Sequence, residues 1–354
     1  MAQGKDNRYY SEQDKLNIAR TREILETLPR FCRQYIRGIE ENTSTRTRLA
    51  YIYDIRTFFE FLHERNSVLS KMDITDYKLD ILDHITREDI EEYMEYVTLY
   101  DKEGKELSNE EFGKARKISS IRSLYNYFYK VELIETNPPA LVRTPKLHEH
   151  EIIRLEPDEV ANMLDQVEGG EGLTKAQKRF HDKTKNRDVA MITLLLGTGI
   201  RVSECVGLDL NDVDFRNNGI RVHRKGGYDA VVYFGDEVEA ALKAYLEERK
   251  EILPQQGSEN AVFLSLQNKR ISVRAVENLV KKYAQTVTTL KHITPHKLRS
   301  TYGTTLYKES GDIYLVADVL GHKDVNTTRK HYAAQTDENR RRAARIVRLR
   351  DPDH

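Results

Sequence analysis

A histidine and an arginine stand one helical turn apart in a segment that has the features of a helix start. Thr294 suits the position before the first helical residue, and Pro295 suits the first helical position itself. His296 and Arg299 would then share one face near the positive end of the helix dipole. Such a place can hold a phosphate oxygen. An ordinary surface histidine and arginine at a helix start would give the same sequence.

Two further cationic side chains occur beside glycines in the second half of the chain. Arg201 follows the string Gly197-Thr198-Gly199-Ile200, and Glu204 comes one helical turn later, where it could orient a neighbouring group. Lys225 precedes paired glycines that lie between two alternating apolar runs, a pattern typical of a hairpin turn. A lysine at such a tip is either a functional group that can swing or part of an ordinary mobile loop.

A third string, Leu320-Gly321-His322, is followed ten residues later by Tyr332. In their order and spacing these strings resemble the catalytic domain of the tyrosine recombinases, the phage-integrase family. The resemblance rests on Thr198-Gly199-Ile200-Arg201-Val202-Ser203-Glu204, Arg224-Lys225-Gly226-Gly227, His296-Lys297-Leu298-Arg299, and Leu320-Gly321-His322 with Tyr332. The helical segment before them is similar, more loosely, to the core-binding domain of the family. Within the family, Lys185-Asn186-Arg187-Asp188 and the insert before it resemble the single-recombinase Xer type (XerS).

The resemblance implies a site-specific DNA recombinase that needs neither a metal nor ATP. The catalytic set that it implies is Arg201, Lys225, His296, Arg299, His322 and the nucleophile Tyr332. The tyrosine would attack a phosphodiester to give a 3′-phosphotyrosine, with the lysine as general acid for the 5′ oxygen. The implied partners are a double-stranded DNA site and three more copies of the chain, in a homotetramer on two sites. A DNA translocase is a further candidate partner.

The position of the tyrosine departs from the family pattern. In most of the family it lies nine residues after the histidine, and here that slot holds His331. A shift of one residue turns a helical side chain by about 100°, so either the helix begins differently or a bulge absorbs the extra residue. We assign Tyr332 because no other tyrosine follows His322. The arginine-rich segment 340–350 would dock on a neighbouring protomer, as in the family, or form a basic tail.

Composition excludes several classes of protein. The 57 basic and 57 acidic residues cancel, but residues 73–111 hold 14 acidic and four basic side chains, and residues 281–350 hold 15 basic and six acidic ones. Such segregation fits a one-sided site for a polyanion, or two solvated faces of opposite sign.

The two cysteines lie far apart, which argues against disulfides and for the cytoplasm. His292 and His296 lack a third zinc ligand, and no P-loop string occurs.

The pattern along the chain predicts a mainly α protein with a small antiparallel β-sheet. Residues 1–136 are expected to form a helical core-binding domain with an N-terminal extension and without strands. Residues 137–156, which contain three prolines, are expected to be a linker, and residues 157–354 a mixed α/β catalytic domain. In the first domain, one helix is predicted from the apolar stripe of Leu49, Ile52, Ile55, Phe59 and Leu62. Cationic residues off such stripes are candidate DNA contacts: Arg46, Arg48, Lys114, Arg116, Lys117 and Arg122.

Other functions remain open on the sequence alone. A DNA-binding regulator on a degenerate recombinase scaffold would lack catalytic groups, whereas all six are present here. A type IB topoisomerase uses similar chemistry as a monomer, but the Leu-Gly-His string and the core-binding domain favour a recombinase. For a recombinase, we expect chromosome dimer resolution at a dif-like site, and the alternative is integration or excision of a mobile element.

Overall fold

The computed structural model describes residues 8–102, 104–145, 153–224, 227–322 and 324–325. These residues divide into two compact units, one within 8–145 and the other within 153–325. Both are mainly helical, and each contains one small antiparallel sheet, which confirms the predicted fold class. Within the described part of the chain, no helix is both long enough and apolar enough to cross a membrane.

The first unit is a helical bundle around an aromatic core. Its helices are α1 (Arg8–Leu25), α2 (Phe31–Gly38), α3 (Thr45–Arg65), α4 (Ile81–His84), α5 (Arg87–Tyr96) and α6 (Glu111–Lys130). The predicted stripe on α3 faces inward, and Ile52, Ile55 and Phe59 are fully buried. The Phe59 ring packs edge-on against Phe31, which packs in the same way against Phe128 of α6. Contacts between rings of different helices therefore hold the bundle together.

A hairpin between α5 and α6 corrects the expectation that no strand precedes residue 136. Strand β1 (Leu99–Lys102) pairs antiparallel with β2 (Lys105–Ser108). Every residue of β2 is exposed. Of the hairpin residues whose burial is described, Tyr100 alone is half-buried, with its ring 5.3 Å from that of Tyr96 on α5. With so little buried, the sequence carries no alternation of apolar and polar residues that could have predicted the hairpin.

The second unit packs helices around a three-stranded sheet. Its helices are α7 (Pro157–Gly169), α8 (Lys175–Thr198), α9 (Val202–Gly207), α10 (Asp236–Lys250), α11 (Val273–Val287), α12 (Pro295–Ser310) and α13 (Ile313–Leu320). The strands are β3 (Val213–Asp214), β4 (Gly219–Arg224) and β5 (Tyr228–Tyr233), in the order β3-β4-β5. Strand β4 turns Ile220, Val222 and Arg224 to the interior, as the two-residue period of a strand requires.

Helix α8 is the central helix of the second unit. It is longer than the apolar segment 187–196 alone would predict. Thr174 caps its N-terminus by accepting a hydrogen bond from the backbone N–H of Gln177. Within α8, the fully buried carboxylate of Asp188 accepts hydrogen bonds from Tyr283 Oη and Lys282 Nζ of α11. This buried polar network joins α8 to α11.

Candidate active site

Helix α13 ends in a Schellman motif that positions His322. Gly321 has a φ of +63° and donates its backbone N–H to the carbonyl of Asp318 at 2.9 Å. The backbone N–H of His322 donates to the carbonyl of Ala317, also at 2.9 Å. A helix stop of this kind needs a residue in the left-handed region, which glycine adopts without steric cost. The Leu-Gly-His string is therefore a helix terminus, and its turn fixes the position of the half-buried His322.

Three arginines from three elements converge on the end of α13. The acceptors are the four consecutive carbonyl oxygens of residues 318–321. Arg224 donates to the first two at 3.2 and 2.6 Å, Arg299 to the third, and Arg201 to the fourth at 3.3 Å. The last carbonyls of a helix have no partner within it and carry its negative partial charge. They therefore suit guanidinium groups and hold all three beside His322.

Arg201 is oriented by a buried carboxylate. Glu204 lies one turn later on α9, with its side chain 2% exposed, and forms an ion pair with Nη1 of Arg201 at 2.7 Å. Its other carboxylate oxygen accepts the backbone N–H of Arg201 at 2.8 Å. The Arg201 side chain itself is about one-third exposed, at 32%. The pair therefore holds a partly accessible guanidinium in one orientation, as a receptor for an anionic oxygen requires.

Arg299 joins the ends of two helices. It is 4% exposed, and its Nη1 donates at 2.5 Å to the carbonyl of Gly199, the left-handed residue that ends α8. A Cβ at Gly199 would lie 2.4 Å from the ring of Tyr302, so only glycine fits there. His296 lies one turn before Arg299, in the first turn of α12, and is exposed. Pro295 begins that helix, as the sequence predicts.

A cleft of about 410 Å³ opens between β5 and the end of α13. Its wall includes Arg224, Tyr302, Gly321 and His322. Burial raises the pKa of the Tyr302 hydroxyl, so this phenol stays protonated at neutral pH and above. Among the described residues, no cluster of three histidine, cysteine or carboxylate groups is placed to hold a metal ion.

The structure brings Arg201, Arg299 and His322 together and places His296 on the helix that carries Arg299. Lys225, Tyr332 and its neighbour His331, and the segment 340–350 lie outside the described residues. The sequence interpretation assigned no role to Arg224, although the alternation along β4 would have placed it on the buried face.

Two of the six candidate DNA contacts in the first unit require correction. The Arg48 side chain is buried and donates to the carbonyls of Glu40 and Thr43 at 3.0 and 2.8 Å. Lys117 is 4% exposed and lies 3.4 Å from the buried carboxylate of Asp54. Both cations bind partners inside the helical unit, so we remove them from the set of proposed DNA contacts.

The other four candidates differ in how they are held. Arg46 is exposed on α3, and Arg116 is half exposed while it donates to Asp54. Lys114 donates to the hydroxyl of Thr98 at 2.8 Å. Arg122 is half-buried and fixes the segment after α6 by bonding Pro139, Val142 and Thr144.

Comparisons with known proteins agree on one family. A model of the phage integrase family matches residues 154–339. The chain is 34% identical over 296 residues to the tyrosine recombinase XerC of Caldanaerobacter subterraneus subsp. tengcongensis, covering 80% of this chain and 77% of that protein. It is 30% identical over 293 residues to the tyrosine recombinase XerD of Staphylococcus epidermidis, covering 82% and 88%.

Solved structures show the same fold. The Tn1549 transposon integrase in complex with a circular intermediate DNA matches with a TM-score of 0.62 at 22% identity, over 89% of this chain and 99% of that one. The XerH recombinase bound to its difH substrate matches with a TM-score of 0.58 at 19% identity, over 82% and 78%. The arginine cluster and the relatives lead to one conclusion: the chain belongs to the phage integrase family of tyrosine recombinases, enzymes of site-specific DNA recombination.

Proposed function

We propose that Tyr332 attacks a phosphodiester of a double-stranded DNA site. In this step the phenol loses its proton, a bond forms between the phenolic oxygen and phosphorus, and the bond from phosphorus to the 5′ oxygen breaks. The product is a 3′-phosphotyrosine and a 5′ hydroxyl, an example of covalent catalysis. Attack by the 5′ hydroxyl of a partner strand on this linkage reverses the step and joins the strands. No external energy source is needed, because the covalent bond conserves the energy of the broken one.

The arginine cluster at the end of α13 is the observation that carries this proposal. In-line attack builds negative charge on the nonbridging oxygens of the phosphate. Arg201 and Arg299 stay charged at any working pH and would bind these oxygens. Both are held in place by Glu204 or by backbone carbonyls. Because the groups are already oriented, their reorganisation adds little to the barrier.

Three further groups complete the proposed set. Lys225 gives its proton to the departing 5′ oxygen. His296 and His322 donate hydrogen bonds to the phosphate or move protons, since imidazole titrates near neutrality. The remaining candidate cations of the first unit, Arg46, Lys114, Arg116 and Arg122, are proposed contacts to the DNA backbone and would supply the salt-sensitive part of the affinity.

For the biological role we propose chromosome dimer resolution in the cytoplasm, at a dif-like site. Four protomers on two sites would exchange strands in two steps through a Holliday junction, with a DNA translocase as a candidate activator. Similarity to relatives named XerC and XerD over about four-fifths of the chain supports this role. Integration or excision of a mobile element uses the same chemistry and is the alternative.

Covalent trapping tests the chemistry and the role together. Wild type and Tyr332→Phe are incubated separately with fragmented DNA from the source organism, denatured with detergent, and the DNA that stays attached is sequenced. Tyr314→Phe serves as a matched control, since this tyrosine of α13 is 71% exposed. We expect one enriched sequence with wild type and Tyr314→Phe, and none with Tyr332→Phe.

Each result of the trapping experiment has a defined meaning. An adduct with Tyr332→Phe would refute the assigned nucleophile. A site near the replication terminus supports dimer resolution, whereas a site at the end of a mobile element supports the alternative. Relaxation of plasmids that lack any enriched sequence would indicate a topoisomerase instead.

A further inference from the structure

The last residue of β4 is a buried arginine with an unusual set of partners. Arg224 is 6% exposed, on the same strand face as Ile220 and Val222. Its Nη1 and Nη2 donate to the carbonyls of Asp318 and Val319 at 3.2 and 2.6 Å. Its Nε is also buried and has no hydrogen-bond partner in the described part of the chain. Burying a charge with an unsatisfied donor is costly, so this side chain does more than fill space.

Arg224 is also in direct contact with the backbone turn that precedes His322. A Cβ built on Gly321 would lie 1.6 Å from Nη1 and 2.5 Å from Cζ of Arg224. The guanidinium therefore occupies the space that any side chain at this position would need. Glycine at this left-handed turn therefore lets the guanidinium pack directly against the backbone.

The position of Arg224 connects two parts of the proposed site. In the sequence it directly precedes Lys225, and in the fold it holds the carbonyls that lie three and four residues before His322. A cation whose only task was to cap α13 could come from any surface side chain. This one comes from the strand that leads to Lys225.

We propose that Arg224 is a positioning residue that fixes the end of β4 against the end of α13. It thereby sets the position of the residue directly before Lys225, the general acid, relative to His322 and the two phosphate-binding arginines. This inference rests on the proposed function, because it acts through the role assigned to Lys225.

Two DNA substrates test the proposal. Both carry the site recovered by trapping, and one has sulfur in place of the 5′ bridging oxygen at the scissile phosphate. A thiolate departs without protonation, so this substrate does not need a general acid. We expect Arg224→Ala to cleave the oxygen substrate about 100-fold more slowly than wild type, the order of loss caused by a misplacement of about 1 Å. On the sulfur substrate we expect it to approach the wild-type rate.

Arg221→Ala is the matched control. Arg221 lies on β4 with its side chain turned to the opposite, exposed face, in an ion pair with Asp212 at 2.7 Å. We expect it to cleave both substrates at the wild-type rate. Arg224→Lys keeps the charge but can hold the two carbonyls less well, so its loss on oxygen should be smaller and again absent on sulfur. If thermal unfolding shows that Arg224→Ala does not fold, Arg224→Lys takes its place in the test.

Two results would overturn the proposal. If Arg224→Ala loses cleavage rate equally on both substrates, Arg224 acts in phosphate binding or general stability. If it loses no rate on the oxygen substrate, Arg224 does not position the general acid. Failure of the proposed function gives a different pattern. If sulfur does not rescue Lys225→Ala, the general-acid assignment itself is wrong, whatever Arg224→Ala shows.

Discussion

A comparison of Gly321→Ala with Gly311→Ala isolates the packing at the end of α13. Both glycines follow a helix in the left-handed region, with φ values of +63° and +68°. An alanine Cβ costs about 1–2 kcal/mol in this conformation, so the backbone strain is matched. The surroundings differ, because a Cβ at Gly311 meets nothing within 4 Å, whereas one at Gly321 lies 1.6 Å from Nη1 of Arg224.

Gly321→Ala must therefore expel Arg224 from its two carbonyls. Hydrogen bonds to charged groups contribute about 1.5–3 kcal/mol each, which adds about 3 kcal/mol or more to the strain. At roughly 2–4 °C per kcal/mol for a unit of this size, we expect Tm to fall by about 3 °C in Gly311→Ala and by about 12 °C in Gly321→Ala.

Thermal unfolding and cleavage of the trapped site, measured on both variants, check this reasoning. Cleavage should fall about 100-fold in Gly321→Ala, since His322 and Arg224 both shift. In Gly311→Ala it should stay within about twofold of wild type, because that turn contacts none of the arginines. Equal losses of Tm with normal cleavage in both would show that Arg224 moves aside at little expense, and the packing argument would fail.

Three further predictions concern other buried groups. Glu204→Gln removes the negative partner of Arg201, so cleavage should fall about 10- to 100-fold while gel-shift binding at low salt persists; unchanged cleavage would refute the orienting role. Asp54→Asn leaves the buried Lys117 without its counter-ion and should lower the free energy of unfolding in urea by about 3–5 kcal/mol, and Lys117→Met in the same chain should restore part of it. Burial raises the pKa of the Cys205 thiol, so a thiol reagent at pH 8 should label it only after unfolding; rapid labelling of the folded chain would contradict its burial.

Local signals mark several of the helix starts. Thr86 and Asp89 form a capping box at the start of α5, with reciprocal hydrogen bonds of 2.7 and 3.2 Å. Pro157 and Pro295 begin α7 and α12, the second as expected. These signals act within one turn of chain and are therefore visible in the sequence. The hairpin of β1 and β2 packs little more than Tyr100 against the helices, so its residues carried no such signal.

The functions of individual cations could not be predicted in the same way. Arg116 and Lys117 are neighbours in sequence, yet one side chain is 49% exposed and the other 5%. Charge and spacing alone predicted that both residues contact DNA. Arg299 reaches the carbonyl of Gly199, one hundred residues earlier in the chain. Only the tertiary fold decides which donors face backbone oxygens and which face a ligand, so the motif strings located the site but not its internal bonds.

The electrostatics of the cluster explain why it suits a phosphodiester. Three guanidiniums meet at one helix terminus, where the carboxylate of Glu204 pairs with Arg201 and the end of α13 contributes about half a negative charge. This compensation holds the arginines together but leaves an excess of positive charge. A phosphodiester monoanion offsets part of that excess, and the charge that develops during attack offsets more. In the proposed mechanism the cluster would therefore stabilise the transition state more than the bound ground state, which is the condition for catalysis rather than for tight binding alone.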